Sequence, residues 1–120
     1  MLMNEKIEQF LQQAIFPDLE RGRPGFDKPH TEGVVYHMRR IIEDNPELHL
    51  DSDVLIISAY AHDWGHAGLF NDGRPVDLDR LKEEKPLHAK LSAQNVIRLI
   101  GTPIFDYLSP EQKARVAGDA

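Results

Sequence analysis

Apolar residues at the start of the chain recur with the spacing of a helix. Ile7, Phe10, Leu11, Ala14 and Ile15 fall at i, i+3, i+4, i+7 and i+8, which predicts an amphipathic helix over about 4–16. Pro17 is expected to end it. Residues 17–29 hold three prolines, two glycines, Arg21 and Arg23, and read as loop. A second helix is predicted to begin near Pro29 and to end before Pro46. It offers Val34, Val35, Met38, Ile41 and Ile42 to a core, with His30, Val34, His37 and Ile41 along one stripe.

The run from Asp53 to Ala61, with Val54, Leu55, Ile56, Ile57 and Tyr60, is too apolar for a surface element. The β-branched cluster at 54–57 makes a buried strand the competing reading. The span on to Trp64 is long for such a strand, and Asp51/Ser52 offer an N-cap, so the pattern favours a central core helix. Residues 65–86 carry Asp72, Arg74, Asp77 and Asp79, with turn signals at Asn71-Asp72-Gly73 and Pro75, and predict a long loop. A fourth helix is expected over Leu87 to Ile100, with Leu87, Leu91, Val96, Ile97 and Ile100, stopped by Gly101 and Pro103. Ser109-Pro110-Glu111-Gln112 opens a fifth, with Ser109 as N-cap, Pro110 at its first position and Gln112 closing a capping box. No stop signal follows before Ala120, so the domain is expected to continue past it. The pattern predicts an all-α fold, one domain over 1–120.

A chain of 120 residues with formal net charge −6 is one domain in size and has no broad basic face, which argues against nonspecific binding to nucleic acid or anionic lipid. It contains no cysteine, so disulfides, thiolate metal sites and thiol nucleophiles are excluded. No segment approaches the roughly 20 apolar residues of a membrane span, and the start carries two glutamates where a secretion signal would be basic and then apolar. The expected compartment is cytoplasmic.

Without cysteine, any metal must be held by histidine and carboxylate. Six histidines stand at 30, 37, 49, 62, 66 and 88. The adjacent pair His62-Asp63 closes the most apolar segment and is the leading candidate. On a continuous helix His62 and His66 would share a face while Asp63 would point roughly 100° away. The three therefore converge only if the helix ends or bends nearby, which Gly65 and Gly68 favour. Spacing does not choose among zinc, iron, manganese, cobalt, nickel or the harder magnesium. His37 reads as a core-edge residue, His49 as a loop residue, and Trp64 and Phe70 as packing.

His30-Thr31-Glu32-Gly33-Val34 followed by Ala61-His62-Asp63 resembles the HD superfamily of metal-dependent phosphohydrolases, over roughly 26–120. The extended pattern His62-Asp63-x-x-His66-x-Gly68-x-x-Asn71 is similar to that of class I cyclic nucleotide phosphodiesterases and related binuclear HD proteins. The resemblance implies an HD-type helical bundle of about five helices. It also implies that His30, His62 and Asp63 ligate a divalent metal, with Asp63 bridging to a second ion where two bind. His66, and after it His88, would serve the second ion or the phosphate and protonate the leaving group. The implied chemistry is in-line attack of a metal-activated water on a phosphate ester of a nucleotide or related small metabolite. Lys85, Lys90 and Arg74 are candidates to hold a phosphate oxygen, and a homodimer is the base-rate expectation.

The chain departs from the family twice. The fourth ligand is an aspartate late in the following helix, where this chain offers Asp119, and the true ligand is expected beyond Ala120. Cyclic nucleotide phosphodiesterases also place a proton-donating histidine one turn before the first ligand, where this chain has Phe26. Two rivals follow. One is a noncatalytic HD-fold module that binds a ligand or partner. The other is a zinc protease reading His62-Asp63-Trp64-Gly65-His66 as a variant His-Glu-x-x-His, with Glu84 as third ligand; Asp is short for the base and Gly65 weakens the helix that motif needs.

Overall fold

The apolar stripe of the first helix does not stop at Pro17. In the computed structural model, which describes residues 4–22, 25–64 and 78–119 apart from the side chains of residues 22, 78–81, 83–86, 88 and 119, helix α1 spans Glu5–Gly22 with Pro17 inside it. Leu11, Ile15 and Leu19 are all fully buried. They stand one turn apart, so Leu19 continues the stripe beyond the proline. Proline in a helix interior removes one backbone hydrogen bond and costs about 3 kcal/mol. Burying a leucine beyond it contributes stabilisation of comparable size, about 1.5–3 kcal/mol, and tertiary packing overrides the local stop.

Gly25, at φ +77°, turns the chain from α1 toward helix α2, Asp27–Asp44. That left-handed conformation favours glycine. Pro29 falls in the first turn, where a missing N–H costs little. Asp27, Thr31 and Val35 are buried at successive turns, and Val34, Met38 and Ile42 pack beside them. Ile41, expected in the core, is exposed, because this rotation of the helix leaves the His37/Ile41 side outward. Asp27 lies in the first turn of α2, where the unpaired N–H groups and the helix dipole favour negative charge.

After a 3-10 turn at Pro46–Leu48, helix α3 spans Ser52–Ala61, with the Asp51 side chain accepting from the Val54 N–H. Val54, Ile56, Ile57, Ser58, Ala59, Tyr60 and Ala61 are buried, so the helix is covered almost all round, as an unbroken apolar run requires. The strand alternative is thereby excluded. Helix α4, Leu78–Ile100, starts earlier than expected and runs through Pro86. Its first turns hold Arg80, Lys82, Glu83, Glu84 and Lys85, all strong helix formers, whereas the turn signals that predicted a loop lie at 71–75, before the helix. Ser92, Val96, Leu99 and Ile100 form its buried face. Leu87 and Ile97, expected in the core, lie off that face and are exposed.

A second 3-10 turn, Pro103–Phe105, leads to helix α5, Pro110–Asp119. Its capping box forms as predicted: the Gln112 N–H donates to Ser109 Oγ at 3.0 Å and the Ser109 N–H to Gln112 Oε1 at 2.8 Å. Gln112 Nε2 also donates to Asp51 Oδ2 at 3.1 Å, which ties the start of α5 to the cap of α3. Burial, and then the hydrogen bond and negative charge of Asp53, push the neighbouring Tyr107 hydroxyl well above the usual tyrosine range. The described residues thus form an all-α bundle in which α3 is central, touching α1, α2, α4 and α5. Among them, no helix is long and apolar enough to cross a membrane.

Candidate metal centre

Helix α3 ends at Ala61, and His62, Asp63 and Trp64 follow in a turn. That ending is what the doublet needs. Two adjacent side chains on a continuing helix would diverge; here both turn toward α2. His30, one turn into α2, brings its Nε2 to 3.2 Å from Asp63 Oδ2, and His62 Nε2 lies 3.1 Å from the same oxygen. One ligand atom from each of His30, His62 and Asp63 lies within 4.8 Å of the other two. The two imidazoles are 5.5 Å apart between ring centres.

The backbone fixes which ring nitrogen of His62 faces the cluster. Its Nδ1 is 2.7 Å from the carbonyl oxygen of Ala59, so Nδ1–H donates to that carbonyl and Nε2 is the ring nitrogen left to face Asp63 and His30. Fixing one ring nitrogen in this way orients metal-binding histidines. Burial alone would depress the His62 imidazole. The hydrogen bond to Asp63, the Ala59 carbonyl and the Asp63 charge together outweigh it and hold His62 above the ordinary histidine value.

The surroundings are asymmetric. His30 is 44 % exposed at its side chain, and the ring of Phe26 stacks on it with centres 5.8 Å apart and planes within 12°. An aromatic wall thus occupies the position one turn before the first histidine. The opposite side is tied into the bundle: Ser92 Oγ of α4 donates to the His62 carbonyl at 3.3 Å, serving one of the acceptors left over where a helix stops. Trp64 Nε1 donates to Asp18 Oδ2 of α1 at 2.9 Å.

Of the residues proposed from sequence, the structure brings together His30, His62 and Asp63. His66, Asn71 and Arg74 lie outside the described residues, as do the side chains of Glu84, Lys85, His88 and Asp119. Lys90 is exposed on α4, while His37 and His49 are exposed away from the cluster. Because α3 stops before the doublet, its helix does not extend through His62–Trp64 as the protease motif requires. Sequence reasoning missed Asp18, Phe26 as a stacking partner, and Ser92. The signal for Asp18 was the lone tryptophan beside the doublet, whose indole N–H needs an acceptor once buried. Compared with protein-family models, curated proteins and solved structures, the chain matches none.

Proposed function

We propose that this chain is an HD-type metal-dependent phosphohydrolase, acting on a phosphate ester of a nucleotide or related small phosphorylated metabolite. The observation that carries the reading is the convergence of His30, His62 and Asp63 from two helices onto one point. Two neutral imidazoles and a carboxylate are a donor set for a divalent transition metal. The preset tautomer of His62 fits that role, since only an unprotonated nitrogen binds an ion.

His30, His62 and Asp63 would hold a divalent ion, whose chemistry when bound would be charge stabilisation of phosphoryl oxygens and a lowered pKa for a water near phosphorus. The side chains do the rest. Asp63 supplies the negative charge that retains the cation, His62 holds its Nε2 inward, and the exposed edge of His30 leaves room for a phosphate group to approach. Phe26 offers that group's organic substituent an apolar face. His66, with His88 as second candidate, is assigned to protonate the leaving oxygen, and Lys85, Lys90 or Arg74 to hold a phosphate oxygen.

The test is metal content by elemental mass spectrometry, for the wild type and the His62→Ala/Asp63→Ala double variant. Hydrolysis of p-nitrophenyl phosphate and bis(p-nitrophenyl) phosphate is measured alongside. About one or more equivalents of transition metal in the wild type, lost together with hydrolysis in the variant, is the expected result. Metal without turnover of either ester would favour the noncatalytic module, and no metal after reconstitution would overturn the reading.

A further inference from the structure

The doublet sits on a turn and not on a helix, so its aim depends on what holds that turn. Regular helix α3 ends at Ala61, with His62 as its C-cap still at right-handed helical angles. Beyond it, two side-chain tethers reach the turn. Ser92 of α4 holds the His62 carbonyl. At the far side of Asp63, the Trp64 indole is 8 % exposed and donates to Asp18 of α1. The other oxygen of Asp18 pairs with the exposed Arg21 one turn later, a surface contact of little energetic weight that leaves Oδ2 to the indole.

A ligating carboxylate must be held within about 0.5 Å of its productive place. Asp63 adjoins Trp64, so any freedom in the indole is transmitted through one peptide unit to the ligand. The 18–64 contact lies beyond Pro17, in the part of α1 that exists because Leu19 is buried. It joins a helix outside the segment resembling the HD core to that core's most sensitive residue.

We propose that Asp18 is a positioning residue of the metal centre: by holding the Trp64 indole it fixes the turn that aims Asp63 at His30 and His62. The inference rests on the metal reading above. Helix α1 is therefore a working part of the site and not an accessory packed on the bundle.

Manganese titration of the full chain, with free Mn2+ counted by electron paramagnetic resonance, tests this. Thermal melting of the metal-free proteins is recorded in parallel. Asp18→Ala is expected to weaken Mn2+ binding about 10-fold, the lower end for residues that orient metal ligands. Asp18→Asn, whose amide oxygen still accepts from the indole, should recover affinity to within about 3-fold of wild type. Trp64→Phe removes the donor and should weaken binding as Asp18→Ala does. The double variant should be no weaker than either single one, the mark of a shared interaction. Trp64→Phe also keeps the test open if Asp18→Ala does not fold. Arg21→Ala keeps the acceptor and should bind as wild type. Tyr60→Phe loosens α1 from α3 at a different point and should lower the melting temperature without moving the affinity.

Asp18→Ala binding Mn2+ as tightly as wild type would overturn the proposal while leaving the metal reading intact. So would equal weakening by Tyr60→Phe, which would reduce Asp18 to general support. A wild type that binds no Mn2+ would remove the metal reading and the proposal with it.

Discussion

Two polar clusters meet at the end of α3, one on its last turn and one just past it, and they are built on opposite principles. At Tyr60 the hydroxyl donates to Glu8 Oε1 at 2.6 Å and accepts from Gln12 Nε2 at 3.0 Å, while Arg39 pairs with Glu8. Donors match acceptors and the positive charge matches the negative one, so the network needs nothing from outside. It borders a hollow of about 460 Å3 between α1, α2 and α3. At His62-Asp63 two imidazole nitrogens share one carboxylate oxygen instead, with ring protons or a metal cation able to lie between them. The hollow adjoins the balanced cluster and the candidate metal site is the unbalanced one. Unmatched donor chemistry, and not concavity, is the better pointer to function here.

The sharpest way to break that contrast is to remove one member from each cluster. His30→Ala should lower metal affinity by at least about 100-fold, beyond the range for residues that merely orient ligands. The metal-free melting temperature should change little, since the His30 side chain is 44 % exposed. Isothermal titration with Mn2+ or Zn2+ reads this directly, and retention of wild-type affinity would place the ion elsewhere.

Tyr60→Phe should do the reverse. Losing a buried hydroxyl bonded to a charged group costs about 1.5–3 kcal/mol, visible as an earlier denaturant midpoint with unchanged metal affinity. A metal defect in this variant would mean that the two clusters are one mechanical unit.

The smallest effect separates them by pH. His62 is held above its ordinary value, so its protonation stabilises the metal-free fold fully below about pH 6.5, and that contribution is lost as pH rises through the folded-state value. Burial, opposed by Gln12 and Arg39, raises Tyr60 in the same sense, but its contribution is lost only above about pH 10. Metal binding reverses the neutral-range trend, because an ion competes with the proton for Nε2 and affinity rises with pH. Urea midpoints measured from about pH 5.5 to 8.5, with and without Mn2+, should therefore slope in opposite directions, and parallel slopes would detach His62 from the ion.

Much of the candidate site was legible because it is local. The Asp51 cap, the apolar run and the His62-Asp63 pair are contiguous, and His30 sits near the start of a periodic segment. The Ser109/Gln112 box is local in the same way, since its partners are three residues apart. Pro17, Pro86 and the Asp18–Trp64 contact were not legible. A proline reads as a stop because its local cost is certain, whereas the burial that offsets it depends on residues remote in sequence. The same holds for the Trp64 indole: Trp64 reads from sequence as packing, and nothing nearby in the chain points to Asp18 as the acceptor of its N–H.

By itself, then, the sequence determined the helical class, the caps, the order of apolar segments and the chemical character of the doublet, because each follows from spacing of a few residues. The tertiary structure alone decided that α1 continues to Gly22, that α4 begins at Leu78 and that Ile41, Leu87 and Ile97 face outward. It also decided that the end of α3 turns Asp63 toward His30. Those outcomes depend on which faces bury against one another, a free energy of packing that no local window of the chain contains.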